Sequence, residues 1–332
     1  MTTLAIQIRE STAAAAARRR AESIAAKAGF DHTRIGELAI IVMELATNIV
    51  KHAQHGELLL SECRSGSARG IEVLALDQGR GMRDVDRSSV DGHSTAGSLG
   101  NGLGAVRRMA SAFEVFSQPA RGTAALARVW ANKDHHGTAE VFALGAVNVP
   151  KDGETESGDA WVAQIGRETG VLMVADGLGH GVLAADAAAA AVAAFARDPF
   201  RPPKATLEDI HLALRPTRGA AVAVAALDFT GSRARFAGLG NISGSIVDGA
   251  LKRSMVSHNG TAGHTARTLQ EFTYPMPKAS VIVLQSDGLH TNWNPADYTG
   301  LWARDPALVA GVLYRDFTRR RDDATVVVGR TG

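Results

Sequence analysis

The chain has 332 residues, 45% hydrophobic and 21% charged, enough for about two domains of roughly 150 residues and too long for a mini-protein. Lys plus Arg number 36 against 34 Asp plus Glu, a formal charge of +2, so no strong field draws the chain to nucleic acid or anionic lipid. A single cysteine, Cys63, excludes a disulfide framework within the chain and a Cys-rich zinc site. The N-terminus lacks the basic-then-apolar layout of a signal peptide and no apolar run approaches 18 residues, so a cytoplasmic chain without a membrane partner is expected.

In chain order, Leu4 to Arg9 alternates like a strand, and the alanine-rich stretch from Ser11 to Ala28 reads as a helix with Ser11 or Thr12 placed to cap it. Asp31 starts a second helix that runs to about Ala53, in which Ile35, Leu38, Val42, Leu45 and Ile49 form a buried stripe. Strand-like runs follow at Leu58 to Cys63 and Ile71 to Leu76, then a Gly-rich segment, a helix near Leu103 to Ala112, and two strands flanking Pro119 to Gly122. The charge changes sign around Asn132 to Thr138: residues 1–133 carry 17 basic and 13 acidic residues, and the remainder 19 and 21. This places one domain at 1–133 and a second at 138–332. In the second, strands are expected at about 139–148, 160–165, 171–175, 219–228, 233–238, 243–248, 280–285 and 324–329, and helices at Val182 to Arg197, Leu207 to Leu214 and Pro306 to Arg319. Strand runs joined by short turns, with the helices grouped, point to antiparallel sheet covered by helices and to an α+β chain.

Glu44 and Asn48 stand four apart and share a helix face beside the apolar stripe. Asp77-Gln-Gly79-Arg-Gly81 follows a strand, and Gly97-Ser-Leu-Gly100-Asn-Gly102-Leu-Gly104 runs into a helix. Glycines at a helix entrance let backbone N–H groups approach phosphate oxygens, which the helix N-terminus favours. Gly100, Gly102 and Ala105 fit a loose dinucleotide fingerprint, but no strand precedes them. Cys63 and Arg69 have the spacing of a cysteine-phosphatase loop, but a strand follows where a helix should, so a hairpin turn is the better reading. Glu44-Leu-Ala-Thr-Asn48, Asp77-x-Gly79-x-Gly81, the glycines from Gly97 to Gly104 and Arg121-Gly122-Thr123 resemble the boxes of the GHKL (Bergerat) ATP-binding α/β sandwich, most similarly the RsbT and RsbW type of bacterial serine kinase and anti-sigma regulator. The resemblance implies that ATP and Mg²⁺ bind here. Asn48 would hold Mg²⁺, Asp77 would accept from the adenine amino group, Gly79, Gly81, Gly100, Gly102 and Gly104 would surround the nucleotide, and Thr123 would support the base pocket. Glu44 would be the base for a substrate serine or threonine hydroxyl.

In the second half, Asp176 ends an apolar strand and opens Asp-Gly-Leu-Gly-His-Gly181, and Asp287 ends another in Ser286-Asp-Gly288. Asp159 and the pair Asp322-Asp323 precede strands. One Asp at a strand end is usually a turn or a cap, whereas four in this pattern suit a hard divalent cation. Together with Arg218-Gly-Ala-Ala-Val, Gly240-Asn-Ile and Asn259-Gly-Thr-Ala-Gly263, these segments resemble the PP2C-like phosphatases of the SpoIIE and RsbX group, an α-β-β-α sandwich. That resemblance implies two Mn²⁺ or Mg²⁺ ions held by Asp159, Asp176, the Gly177 carbonyl, Asp287 and Asp322. Asp322 is favoured over Asp323, which would face solvent. Two such ions about 4 Å apart would acidify a water and neutralise the phosphate it attacks. No arginine stands out as a phosphate grip. Histidines 52, 55, 135 and 136 read as solvated, His180 as a candidate neighbour of the metals, and Arg319 to Arg321 as either a helix-end charge or a phosphate attractor.

The two resemblances imply a partner-switching regulator: a serine/threonine phosphatase acting on a phosphorylated STAS-domain antagonist, joined to an ATP-binding kinase module within sigma-factor control. Alternatively, the first domain is a non-catalytic nucleotide sensor or docking module. A third reading makes neither half an enzyme.

Overall fold

The computed structural model describes residues 2–83, 102–133, 135, 142–266 and 268–332. It divides between Ala139 and Glu140 into two compact units.

The N-terminal unit begins with β1 (Leu4–Ile8), α1 (Ser11–Lys27) and α2 (His32–Ala53). The Asp31 side chain caps α2 by accepting the Arg34 N–H at 2.7 Å. The expected cap of α1 is absent: Ser11 is already helical, Glu10 holds the cap position, and the Thr12 hydroxyl is spent on the Glu10 carboxylate. Next come β2 (Gly56–Ser65), β3 (Ala68–Asp77), α3 (Gly102–Met109), β4 (Ala112–Gln118) and β5 (Gly122–Trp130), in a sheet ordered β1-β2-β3-β5-β4. Every pairing in it is antiparallel. Cys63 pairs with Gly70 and Arg64 with Arg69 within the β2–β3 hairpin, so that cysteine lies in a ladder and not in an anion-binding loop. Both helices lay their apolar stripes on one sheet face, where Leu38, Val42, Leu45 and Ile49 meet Leu58, Leu60, Val73 and Ala125. That stripe is what fixes the polar side of α2, since Glu44 and Asn48 flank residues anchored in the core.

The C-terminal unit runs β6 (Phe142–Val149), β7 (Asp159–Ile165), β8 (Thr169–Gly177), α4 (Val182–Phe195), α5 (Pro203–Ala213), β9 (Ala220–Asp228), β10 (Arg233–Leu239), β11 (Ser243–Asp248), β12 (Leu251–Met255), β13 (Phe272–Pro275), β14 (Val281–Gln285), α6 (Pro306–Phe317) and β15 (Ala324–Thr331). Two five-stranded sheets form, ordered β13-β10-β9-β8-β7 and β12-β11-β14-β15-β6. Their facing sides bury Leu172, Val174, Ala223, Phe236, Ile246, Ile282 and Val327 in a shared core. The other side of the first sheet is covered by α4 and α5 through Ala188, Ala191, Phe195, Leu207 and Ile210. On the second sheet, α6 packs so closely on β6 that a Cβ at Gly145 would lie 2.0 Å from the Ala307 nitrogen. This is an α-β-β-α sandwich. β12 and β13 are strands that periodicity does not announce: they are five and four residues long, too short for an alternating pattern to stand out. Proline at the first position starts α5 before Leu207, and α6 stops at Phe317, two residues before Arg319.

Candidate functional sites of the two units

In the N-terminal unit, α2 presents Glu44 and Asn48, both half-buried, one turn apart on one side. The entrance of α3 lies against them: a Cβ at Gly102 would be 2.7 Å from Glu44 Oε2 and 3.9 Å from Asn48 Nδ2. Only a residue without a side chain lets the α3 backbone come so near that carboxylate. Asp77 ends β3, and its Oδ1 accepts the N–H groups of Gly79 at 2.8 Å and Thr123 at 3.2 Å. Gly79 packs on Ala53 at the end of α2, which brings the Asp77 turn to the same helix. Ser117 Oγ joins the Thr123 hydroxyl at 2.9 Å and accepts the Met82 N–H, fixing that side of the turn. Gly122 (φ +85°) is required by close approach, since a Cβ there would meet the Asp77 carbonyl at 2.0 Å. Gly81 likewise abuts the Gln118 carbonyl, and Gly104 is buried inside α3. Gly97 and Gly100 lie outside the described residues. His52, next on the Glu44–Asn48 side, is held below its usual pKa by partial burial and then by the Arg80 charge. His135 is not simply solvated: its ring stands edge-on to Trp130 at 4.9 Å.

The C-terminal acidic residues arrive from both sheets. Asp159, on the first residue of β7, pairs directly with Asp176 on β8. Two carboxylates facing each other across an antiparallel pair repel. Burial, and then mutual repulsion for Asp176, pushes both well above the usual carboxylate range. Asp159 is tied to the second sheet by Ser286, whose hydroxyl donates to Asp159 Oδ2 at 2.6 Å and accepts the Thr325 N–H. Asp287 follows Ser286, accepts from Asn241 Nδ2 at 2.7 Å, and is pushed upward by burial and the Asp322 charge while Arg319 opposes the shift. Gly177 packs on the first turn of α4, with a hypothetical Cβ 2.1 Å from the Ala184 carbonyl.

Asp322 and Asp287 line a cleft of about 500 Å³ together with His290, Thr318, Arg319 and Arg321. Asp323 does not face solvent as expected. It is 3% exposed, and its two oxygens accept the N–H groups of Lys151 and Gly158, each at 2.9 Å. One carboxylate of the pair therefore clamps backbone while the other opens to the cleft. His180 bonds Glu154 at 2.8 Å on the surface. Among the described residues, no three His, Cys, Asp or Glu side chains converge into a cage for a single ion; the acidic groups share a field. The donor set consists of carboxylates and a backbone carbonyl, the chemistry that suits Mg²⁺ or Mn²⁺. Sequence reasoning gave no role to Ser286 or Asn241, although each lies beside a residue or glycine already singled out, and it left Arg319 to Arg321 between a helix-end charge and a phosphate attractor; Arg319 and Arg321 line the cleft.

An antiparallel sheet with two helices on one face and glycine turns around a helix-borne Glu and Asn is a GHKL-type ATPase fold, and the second unit is a PP2C-like sandwich. The model of the histidine kinase-like ATPase domain matches residues 9–128, and that of stage II sporulation protein E (SpoIIE) matches residues 167–331. The serine/threonine-protein kinase RsbT of Bacillus subtilis (strain 168) is 32% identical over 115 residues, covering 35% of this chain and 86% of RsbT. A solved structure from the bacterial stressosome, a modular system adapted to control secondary messenger signalling, is 26% identical with a TM-score of 0.53, covering 57% of this chain and all of that one. RsbX in complex with magnesium shares the fold, with a TM-score of 0.54 at 19% identity over 59% of this chain and 98% of RsbX. The chain belongs to the RsbT-type histidine kinase-like ATPase family, and its second unit, matched by the SpoIIE model, has the PP2C-like fold. Among the described residues, no helix is long and apolar enough to cross a membrane.

Proposed function

We propose that this chain sets the phosphorylation level of a small STAS-type antagonist protein, with its C-terminal unit, from about residue 138, removing phosphate from serine or threonine and its N-terminal unit, residues 1–133, phosphorylating or gripping the same class of partner. The observation that supports it most is the arrival of Asp159, Asp176, Asp287 and Asp322 from four strand ends at one acidic edge. Asp159, Asp176, the Gly177 carbonyl, Asp287 and Asp322 would hold two Mn²⁺ or Mg²⁺ ions. Such ions supply charge neutralisation of the phosphoryl group and acidification of the attacking water. The residues of the chain do the positioning. Ser286 holds Asp159 and Asn241 holds Asp287, while Asp323 pins the backbone beside Asp322.

In the N-terminal unit, Asn48 would hold Mg²⁺ against the ATP phosphates and Asp77 would accept from the adenine amino group, supported by Thr123. Gly79, Gly81, Gly100, Gly102 and Gly104 would line the nucleotide, and Glu44 would take the hydroxyl proton of the acceptor. A nucleotide-sensing or docking module is the second reading. It is favoured by the placement of the Glu44 carboxylate against the α3 entrance at Gly102.

Full-length protein with Mn²⁺ should hydrolyse p-nitrophenyl phosphate and a phosphorylated STAS protein, and should transfer label from ATP to the unphosphorylated form. Hydrolysis retained by Asp176→Asn would sink the metal assignment. ATP binding without transfer would leave the sensor.

A further inference from the structure

We propose that Arg319 and Arg321 are the phosphoryl-binding residues of the acidic cleft, and that a left-handed turn at Arg320 is what aims both of them at it. The proposal rests on the phosphatase reading above and names what in this chain would recognise the phosphoserine or phosphothreonine group.

Three consecutive arginines on a continuing helix would fan out around its axis. Here the helix ends first. Thr318 turns extended, Leu289 bridges to Thr318, the His290 N–H donates to the Phe317 carbonyl at 2.8 Å, and the Arg319 N–H donates to the Gly288 carbonyl at 2.8 Å. That ladder fixes Arg319 beside the Ser286-Asp287 strand end. At the far side, Asp323 clamps the N–H groups of Lys151 and Gly158. Between these two anchors Arg320 adopts φ +55°, a region that a residue with a Cβ enters only when its surroundings force it, and such residues gather at functional sites. The Arg320 N–H meets the Thr318 hydroxyl, and its guanidinium lies over the Tyr314 ring, 6.0 Å from the centroid. Arg319 and Arg321, on either side of the kink, line the cleft with Asp287, His290, Thr318 and Asp322.

Both are exposed, and Arg319 is near enough to Asp287 for its charge to oppose the upward shift of that carboxyl without a direct ion pair. A helix-end role is better filled by Arg315, in the last turn of α6. Two planar forks, set in one cleft beside two carboxylates, match the geometry of phosphate oxygens. The carboxylates alone would repel that group.

The test uses the full chain with Mn²⁺ and a phosphoserine peptide, comparing Arg319→Gln, Arg321→Gln, the double variant, Arg321→Lys and Arg320→Asn, with inorganic phosphate as competing product. Each single Gln variant should raise KM and the inhibition constant of phosphate about tenfold, and the double variant about a hundredfold, with kcat within about threefold. Arg321→Lys should recover part of the loss. Arg320→Asn removes one positive charge from the same run, but Asn tolerates the left-handed region, so its KM should match the parent. Unchanged KM and phosphate inhibition in the double variant overturn the proposal. So does an Arg320→Asn defect equal to the others, which would reduce the run to net charge. If the parent hydrolyses no phosphoester, the phosphatase reading fails. Calorimetric titration of inorganic phosphate with Mg²⁺ then still decides the arginines: weaker binding by the double variant supports them, and equal binding overturns them.

Discussion

In the N-terminal unit the proposed working residues sit on one helix and the turns that touch it; in the C-terminal unit they sit on strand ends from both sheets, separated by as much as the span from Asp159 to Asp322. The first arrangement is secured locally. Glu44 and Asn48 keep their relation because the 3.6-residue period and the Leu45–Ile49 stripe fix which way α2 faces. The second is secured by register. Asp159 opposes Asp176 because β7 and β8 pair as they do, and a slip of one residue would turn one carboxylate to the other sheet face. A helix site is thus robust to distant change and a strand-end site depends on the whole sandwich.

The largest expected effect is on the register-built site. Asp176→Asn or Asp287→Asn should lower phosphoester hydrolysis with Mn²⁺ by on the order of 10²–10³-fold while circular dichroism is unchanged. ATP binding by the N-terminal unit should be unaffected by either, and Asp77→Asn should do the converse, abolishing nucleotide binding while sparing hydrolysis. Both activities lost to one variant would break the contrast between the units. Asn241→Ala leaves Asp287 without its hydrogen bond and should weaken apparent metal affinity about 10–100-fold with smaller loss at saturating metal, measured by Mn²⁺ titration of activity.

Backbone contact gives an intermediate effect. Gly122→Ala places a Cβ 2.0 Å from the Asp77 carbonyl at φ +85°, so it should destabilise the N-terminal unit by about 1–3 kcal/mol and weaken ATP binding. A thermal melt that separates the two transitions reads it.

The smallest is a dependence on pH. Asp159 and Asp176 are raised by burial and repulsion, Asp176 to about 9. A carboxyl raised on folding binds its proton more tightly in the folded state, so its contribution is full below about pH 4 and fades as pH rises towards 9. In EDTA, the melting temperature of the C-terminal transition should fall over that window, and added Mn²⁺ should restore more of it at pH 8 than at pH 6. A flat profile in EDTA would show that the carboxylates do not share a field.

Legibility followed the same divide. The stripe from Ile35 to Ile49 and the glycine spacing after Asp77 placed α2 and its turns, because both patterns act within a few residues. The strand ends at Asp176 and Asp287 were also readable, since an apolar run stopping at Asp-Gly is a local event. The division of labour in Asp322-Asp323 was not: only the approach of Lys151 and Gly158, some 165 and more residues away in the chain, decides that Asp323 is buried. The edge strands β12 and β13 escaped notice because runs of five and four residues are too short to show a period. For Arg319 to Arg321 the sequence offered both a helix-end charge and a phosphate attractor and did not choose, because helix periodicity carried through to Arg319 while the helix itself stops at Phe317.

What the amino-acid order determined alone was the pair of folds, the helix face carrying Glu44 and Asn48, and the candidate acids, all consequences of short-range periodicity and turn chemistry. What the tertiary structure decided was which acids meet, which one is spent on backbone, and where the basic run after α6 points. Those depend on pairings between distant strands, and no local pattern encodes the register in which two sheets close.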